Sequence, residues 1–218
     1  MKLILALLAA FLIPHPSFAA EQPNVLLIIS DDLNNRIGCY GDSVVKTPNI
    51  DRLAARGVRF DRAYCQYPVC NPSRSSFLSG LRPDTTRVMR NHTSTRDNLP
   101  DTVMLPQFFR QHGYDSFASG KVFHTGVSDA PSWDTDIAEV ILTPKKDQIV
   151  EKGGVGRKAQ QRKSFEWFNV NLKADELPDH QVALDVVRLI EASLKDTKPF
   201  FAAAGFRRPH EQIGRAHV

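Results

Sequence analysis

The run Asn24-Val-Leu-Leu-Ile-Ile29 is apolar from Val25 onward without alternation, and it stops abruptly at Ser30-Asp31-Asp32. A strand that is apolar on successive residues turns both faces to a hydrophobic interior, as parallel sheets covered by helices require. The expectation is a central strand buried on both faces of an α/β fold. Two adjacent carboxylates at the carboxyl end of such a strand repel one another unless a cation stands between them. That end of an open α/β sheet is also where ligands bind. Hard oxygen donors suit calcium or magnesium, and a solvated Asp-Asp turn is the plainer alternative.

Further units of the same kind follow. Thr47-Pro48 opens a helix that Gly57 stops, with Ile50, Leu53 and Ala54 on one stripe. Gly57-Val-Arg-Phe60 is expected as a short strand. Leu105-Pro106 to Gly113 predicts a second helix, and Tyr114 to Ser119 the strand after it, running into Gly120-Lys121-Val-Phe-His124. A lone Lys or His is ordinarily a surface residue, but here two stand three residues apart just past a strand. Residues 126–175 are weakly patterned and are expected to form a long excursion over the active-site face. Gly153-Gly-Val-Gly156 lacks the Gly-Lys-Ser/Thr ending of a phosphate loop. Pro178 opens an amphipathic helix with Val182, Val186, Leu189 and Ile190 on one face. Lys198 to Gly205 is the next buried strand, delivering Phe206-Arg-Arg-Pro-His210.

Between these units lies Tyr67-Pro-Val-Cys70-Asn-Pro-Ser-Arg74-Ser-Ser-Phe-Leu-Ser-Gly80. Asn71 is a good N-cap, Pro72 suits a first helical position, and Gly80 is a natural stop. Cys70 is thus expected at a helix mouth, beside free N–H groups and the positive end of the dipole, with Arg74 able to return toward it. On these features alone, a buried cysteine beside an ordinary capped helix is the simpler account.

The complete pattern Cys70-x-Pro-Ser-Arg74, however, resembles the signature of type I sulfatases. The order of Asp-Asp strand, Thr-Pro-Asn-Ile-Asp helix, Gly-Val-x-Phe segment and Cys-x-Pro-Ser-Arg helix is similar to their amino-terminal layout. Gly80-Leu-Arg-Pro-Asp-Thr-Thr-Arg87 and Pro209-His210 resemble, in particular, the iduronate-2-sulfatase branch and its bacterial relatives. The resemblance implies an alkaline phosphatase/sulfatase-like α/β fold, with a mixed, mainly parallel central sheet flanked by helices and incomplete at its carboxyl end. It implies that Cys70 is converted to formylglycine by a maturation enzyme, and that Asp31, Asp32 and Cys70 hold one divalent ion, most often calcium. Arg74, Lys121, His124 and His210 would complete the catalytic set: Lys121 on the sulfate, His124 near the formylglycine hydroxyls, His210 at the sulfate or leaving group. The implied reaction is hydrolysis of a sulfate ester on a sulfated carbohydrate, such as a uronic acid. The flanking Arg207-Arg208 departs from the more usual pattern, and Asp179-His180 comes too early to be the family's second metal pair, so it is expected to decorate a helix N-terminus. Alternatives are a formylglycine-dependent phosphonate or phosphodiester hydrolase, a non-catalytic carbohydrate-binding relative and an inactive fragment.

Composition bounds the rest. Lys2 followed by the apolar run Leu3 to Ile13 and by Ser17-Phe-Ala19 is expected to be a secretory leader over 1–19, too short to span a bilayer. The protein is thus expected to be exported, periplasmic or secreted. Residues 20–212 are expected to be the amino-terminal part of a catalytic domain. Ile213-Gly-Arg-Ala-His-Val218 can be encoded by ATC GGA AGA GCA CAC GTC, which matches common sequencing-adapter DNA, so 213–218 is expected to be a non-native tail. The net charge of +4 suggests nucleic acid only at first sight. Residues 145–163 carry seven Lys/Arg against Asp147 and Glu151, a local balance of +5 that leaves −1 for everything else. With one basic loop and no recognition motif, no nucleic-acid partner is expected. Three cysteines leave Cys39 and Cys65 able to pair if Cys70 is converted, and Asn91-His-Thr93 spells a glycosylation sequon.

Overall fold

The computed structural model describes residues 22–141, 145–155 and 165–210. The expected leader, the expected tail and part of the basic run lie outside the described residues. In chain order the elements are β1 (Val25–Ser30), α1 (Pro48–Ala54), α2 (Cys70–Ser79), the one-turn helices α3 (Pro83–Thr86) and α4 (Thr95–Asn98), α5 (Leu105–Gln111), β2 (Asp115–Gly120) and β3 (Thr135–Ile137). Then come β4 (Ile149–Val155), β5 (Phe165–Val170), the long α6 (Pro178–Ser193) and β6 (Phe200–Phe206). Four strands form one sheet in the order β1-β6-β2-β3, with every pairing parallel. Strands β4 and β5 pair separately as an antiparallel hairpin, within the stretch expected to be an irregular excursion.

Strand β6, not β1, occupies the middle of the sheet. Its small residues Ala202, Ala203 and Ala204 are at most 4% exposed, because helices press on both faces and leave no room for larger side chains. On one face α6 lays Val182 and Val186 over Phe117, Phe200 and Ala202. On the other, Phe201 stacks on Phe109 of α5 with ring centroids 4.7 Å apart and lies 6.3 Å from Trp133, while Leu78 of α2 closes the same core.

The continuous apolar run of β1 led to the wrong place in the sheet. Val25, Leu27 and Ile29 pack into the core, but Leu26 and Ile28 are 49% and 54% exposed. Their register partners Ala202 and Ala204 lie on the α6 face, and α6 packs on β6 and β2, so it does not reach over β1. Two other expectations also change. Residues 58–60 form no strand; the Tyr40 hydroxyl donates to the Phe60 carbonyl at 2.8 Å, and Val58 and Phe60 project outward. Helix α1 forms as expected behind Thr47 and Pro48, yet Ile50 and Leu53 on its stripe are exposed.

Replacing Phe201 with alanine removes a ring that is 1% exposed and stacked from both sides. The expected loss is about 3–5 kcal/mol of folding stability, measured as a shift in urea midpoint. A shift worth less than about 1 kcal/mol would mean the sheet is not packed as described.

Candidate active site

The carboxyl ends of β1, β2 and β6 and the amino end of α2 converge on Asp31. The Asp31 N–H donates to the Phe206 carbonyl at 3.0 Å, which extends the β1–β6 ladder by one residue and fixes the carboxylate at the sheet's end. Asp32 then takes a left-handed conformation, φ 61°, and turns the chain away. An aspartate tolerates that region better than a branched residue does.

Asp31 is itself buried, and it holds two buried cations. Arg74 donates to Asp31 Oδ1 at 3.0 Å, and Lys121 Nζ donates to Asp31 Oδ2. The side chains of Arg74, Lys121 and Asp31 are 4%, 1% and 6% exposed. Burial alone pushes the Asp31 carboxyl up. The Lys121 hydrogen bond, the Arg74 charge and the Arg74 hydrogen bond outweigh it and hold the carboxyl below its ordinary 3.8. Arg74 also donates to the backbone carbonyls of Lys121 and Val122, the second at 2.8 Å, tying α2 to the end of β2. The cation that Asp31 was expected to need is therefore supplied in part by the chain itself.

Two glycines let β2 and β6 approach closely at this point. A Cβ on Gly120, φ +80°, would meet the Gly205 carbonyl oxygen at 2.2 Å, and one on Gly205 would meet the Lys121 backbone at 2.2 Å. The Lys121 N–H donates to the Gly205 carbonyl at 2.8 Å. Any larger residue would push Lys121 off Asp31.

Helix α2 starts two residues earlier than the capping pattern suggests. Cys70 is its first residue and Val69 its N-cap; Asn71 lies inside the first turn. The Asn71 side chain donates to the carbonyls of Arg90 and Thr93 at 3.0 and 2.7 Å, and its N–H donates to Asn91 Oδ1 at 3.2 Å. The Asn91-His-Thr93 stretch thus latches the helix start. Cys70 is half-buried, and burial followed by the Asp31 charge pushes its thiol pKa up, against the pull of Lys121 and Arg74. The dipole end and Arg74 were expected to favour an anion here; the Arg74 charge does pull the thiol pKa down, while its hydrogen bonds go to Asp31 and to two carbonyls. None of Cys39, Cys65 and Cys70 is in a disulfide.

His210 stands at the end of the turn after β6, its Nδ1 2.8 Å from Asp32 Oδ2 and 3.4 Å from Asp31 Oδ2. The donor atoms of Asp31, Asp32, Cys70 and His210 lie within 4.8 Å of one another, a group able to share one metal ion. Its two carboxylates fit a hard divalent cation. His124 is half-buried, and its Nδ1 is a buried atom without a hydrogen-bond partner among the described residues, as is Arg74 Nε. Burial first, and then the Lys121 and Arg74 charges, depress the His124 pKa below 6.5. A cavity of about 270 Å³ is lined by Lys121, His124, Thr125, Asp136 and Glu139. A larger cleft of about 420 Å³, lined by Arg110, Asp134 and Lys198, contains none of these residues.

All seven residues singled out in the sequence stand at this end of the sheet. Two that were not singled out brace it. Glu139 accepts from the Arg207 guanidinium at 2.7 Å and from the Thr125 hydroxyl. Asp179, expected merely to decorate the start of α6, accepts the N–H groups of both Arg207 and Arg208. No local pattern marks either one, since their partners lie 14 to 68 residues away.

A family model described as Sulfatase matches residues 23–214. Iduronate 2-sulfatase of Mus musculus is 38% identical over 198 residues, covering 88% of this chain and 36% of that protein. A sulfatase of Formosa agariphila is 38% identical over 203 residues, covering 87% of this chain and 39% of that one. Among solved structures, a 2-O GAG sulfatase superposes with a TM-score of 0.60 at 25% identity, covering 91% of this chain and 39% of that chain. The chain therefore spans little more than a third of the length of the curated relatives it matches.

Replacing Asp31 with alanine leaves Lys121 and Arg74 buried without their counter-charge. The expected cost is about 3–5 kcal/mol of stability, and it should persist when a chelator removes divalent cations. The contribution is full above the ordinary carboxylate range and is lost as pH falls through the depressed folded-state pKa. A urea midpoint unchanged by the substitution in chelator would refute this role.

Proposed function

The chain belongs to the sulfatase family, and on that premise we propose that the protein hydrolyses sulfate esters on a sulfated sugar, with a 2-sulfated uronic acid as the substrate class. The observation that carries the proposal is the meeting of Cys70, Asp31, Asp32 and His210 within 4.8 Å, beside two buried cations. The names of the mouse iduronate 2-sulfatase and the 2-O GAG sulfatase support the choice of sugar. The leader expected at 1–19 supports export to the periplasm or medium, and residues 20–212 would supply the amino-terminal part of the catalytic domain. Among the described residues, no helix is long and apolar enough to cross a membrane.

In this proposal a maturation enzyme converts Cys70 to formylglycine, whose hydrate offers one hydroxyl to attack sulfur and a second to release the sulfate. Asp31, Asp32 and residue 70 would hold one divalent ion, calcium by likeness to the family, which would neutralise sulfate oxygens and acidify a bound hydroxyl. Lys121 and Arg74, fixed in place by Asp31, stabilise the charge that builds on the sulfate oxygens and the attacking oxygen. They cost no reorganisation at that moment, because their positions are set by the fold. His210, at the open side of the cluster, protonates the departing sugar oxygen. Burial and the Lys121 and Arg74 charges favour the neutral form of His124, and it takes the proton of the remaining hydroxyl.

The test is turnover by the full-length, matured protein of a 2-sulfated uronic acid disaccharide, side by side with an aryl phosphodiester. Preference for the sulfate ester supports the proposal; preference for the phosphodiester replaces it with the phosphodiesterase alternative. Mass spectrometry of the Cys70 peptide should show the aldehyde, and Cys70→Ala should reduce sulfate release to background. An unmodified thiol in fully active protein would exclude the mechanism. The kcat/KM profile should lose activity as pH falls through a value below 6.5, and His124→Ala should remove that limb along with most of the rate. An acid limb that survives the substitution assigns the base elsewhere.

A further inference from the structure

The turn that presents His210 is gripped from three directions. When β6 ends at Phe206, the next two backbone N–H groups have no strand to pair with among the described residues. One carboxylate takes both: Asp179 Oδ1 accepts from Arg207 and Oδ2 from Arg208, each at 2.9 Å. Asp179 lies in the first turn of α6, where the helix dipole favours a negative charge. From the β1 side, the Ser30 hydroxyl donates to the Arg208 carbonyl at 2.7 Å. From the third side Glu139, whose side chain is 7% exposed, accepts from the Arg207 guanidinium. Glu139 also accepts from Thr125, the neighbour of His124. Inside the turn, the His210 N–H donates to the Arg207 carbonyl at 2.9 Å. The imidazole is thus one short turn away from a backbone that Asp179 holds at two consecutive points.

We propose that Asp179 is a positioning residue for His210. It sets where the imidazole stands relative to Asp32 and Cys70, and Glu139 ties that setting to the loop carrying His124. The inference rests on the proposal above that His210 serves the leaving oxygen. It goes further in assigning α6 a task in the reaction, although Asp179 lies outside the metal-competent group of Asp31, Asp32, Cys70 and His210. A bidentate carboxylate is suited to this task because two acceptors fix the orientation of a peptide turn as well as its position. An alkyl alcohol leaves sulfate poorly without a proton, whereas an activated phenol leaves without one. Displacing His210 should therefore slow sugar sulfates selectively, which a general loss of structure would not do.

The experiment compares kcat for a 2-sulfated uronic acid disaccharide and for 4-nitrophenyl sulfate, using the full-length, matured protein. Asp179→Ala should lower kcat on the disaccharide by about 100-fold, in the range of one general-acid contribution, and on the aryl ester by less than about 3-fold. Asp179→Asn keeps the side-chain shape and one acceptor, and should show the same selectivity at about 10-fold. If the alanine variant does not fold, the asparagine variant alone decides. Equal loss on both esters, or no loss on either, overturns the positioning role while leaving the sulfatase proposal intact. A parent protein that cleaves neither ester overturns both.

Discussion

A carboxylate buried between two buried cations organises this molecule. Asp31 ends one strand, Lys121 follows another, and Arg74 comes from the helix that begins with Cys70. The three are brought together over sequence separations of 43 and 90 residues. Removing such charges from water is expensive, and pairing of this kind barely repays the cost. What it secures is position: no member can move without stranding the others in a low-dielectric interior. The same triad that holds the strand ends together keeps two cations pointed at the cluster where chemistry is proposed.

Around that triad the structure separates what must be rigid from what must be reachable. Lys121 and Arg74 are almost wholly enclosed, while Asp32 keeps a third of its side chain exposed and His210 about a sixth. The glycines at 120 and 205 bring two strands close enough for Lys121 to enter this interior. On the opposite side, Asn91 accepts the Asn71 N–H that the helix's first turn leaves unpaired, and the Asn71 side chain donates to the Thr93 carbonyl, which together fix the start of α2 and hence Cys70. Electrostatic preorganisation of this kind is built before any substrate arrives.

Much of this was legible in the sequence where the signal is local. The Pro-started, Gly-stopped helices, the strand before Gly120 and the amphipathic stripe of Val182 and Val186 all form close to where their patterns put them. The candidate residues were legible because Asp31-Asp32, Cys70 to Arg74, Lys121 to His124 and Pro209-His210 are each short motifs. Placement within the sheet was not. An unbroken apolar run fits the centre of a sheet and an edge equally well, and only the reach of α6 decides that Leu26 and Ile28 stay bare. Gly57 to Phe60 has a strand's composition but, among the described residues, no neighbour to pair with. Asp179 and Glu139 were invisible because their value lies in backbone groups and loops from other parts of the chain.

The bare flank of β1 bears on how this polypeptide behaves in a test tube. Among the described residues, its outer edge has no strand beside it, and Leu26 and Ile28 line the adjoining face. A flat hydrophobic margin with open peptide groups can serve as a template on which a second molecule lays down its own strand. Crowding, more than heat, would then govern how long a preparation stays clear, and a charged side chain in place of Ile28 would act as a spacer between neighbours.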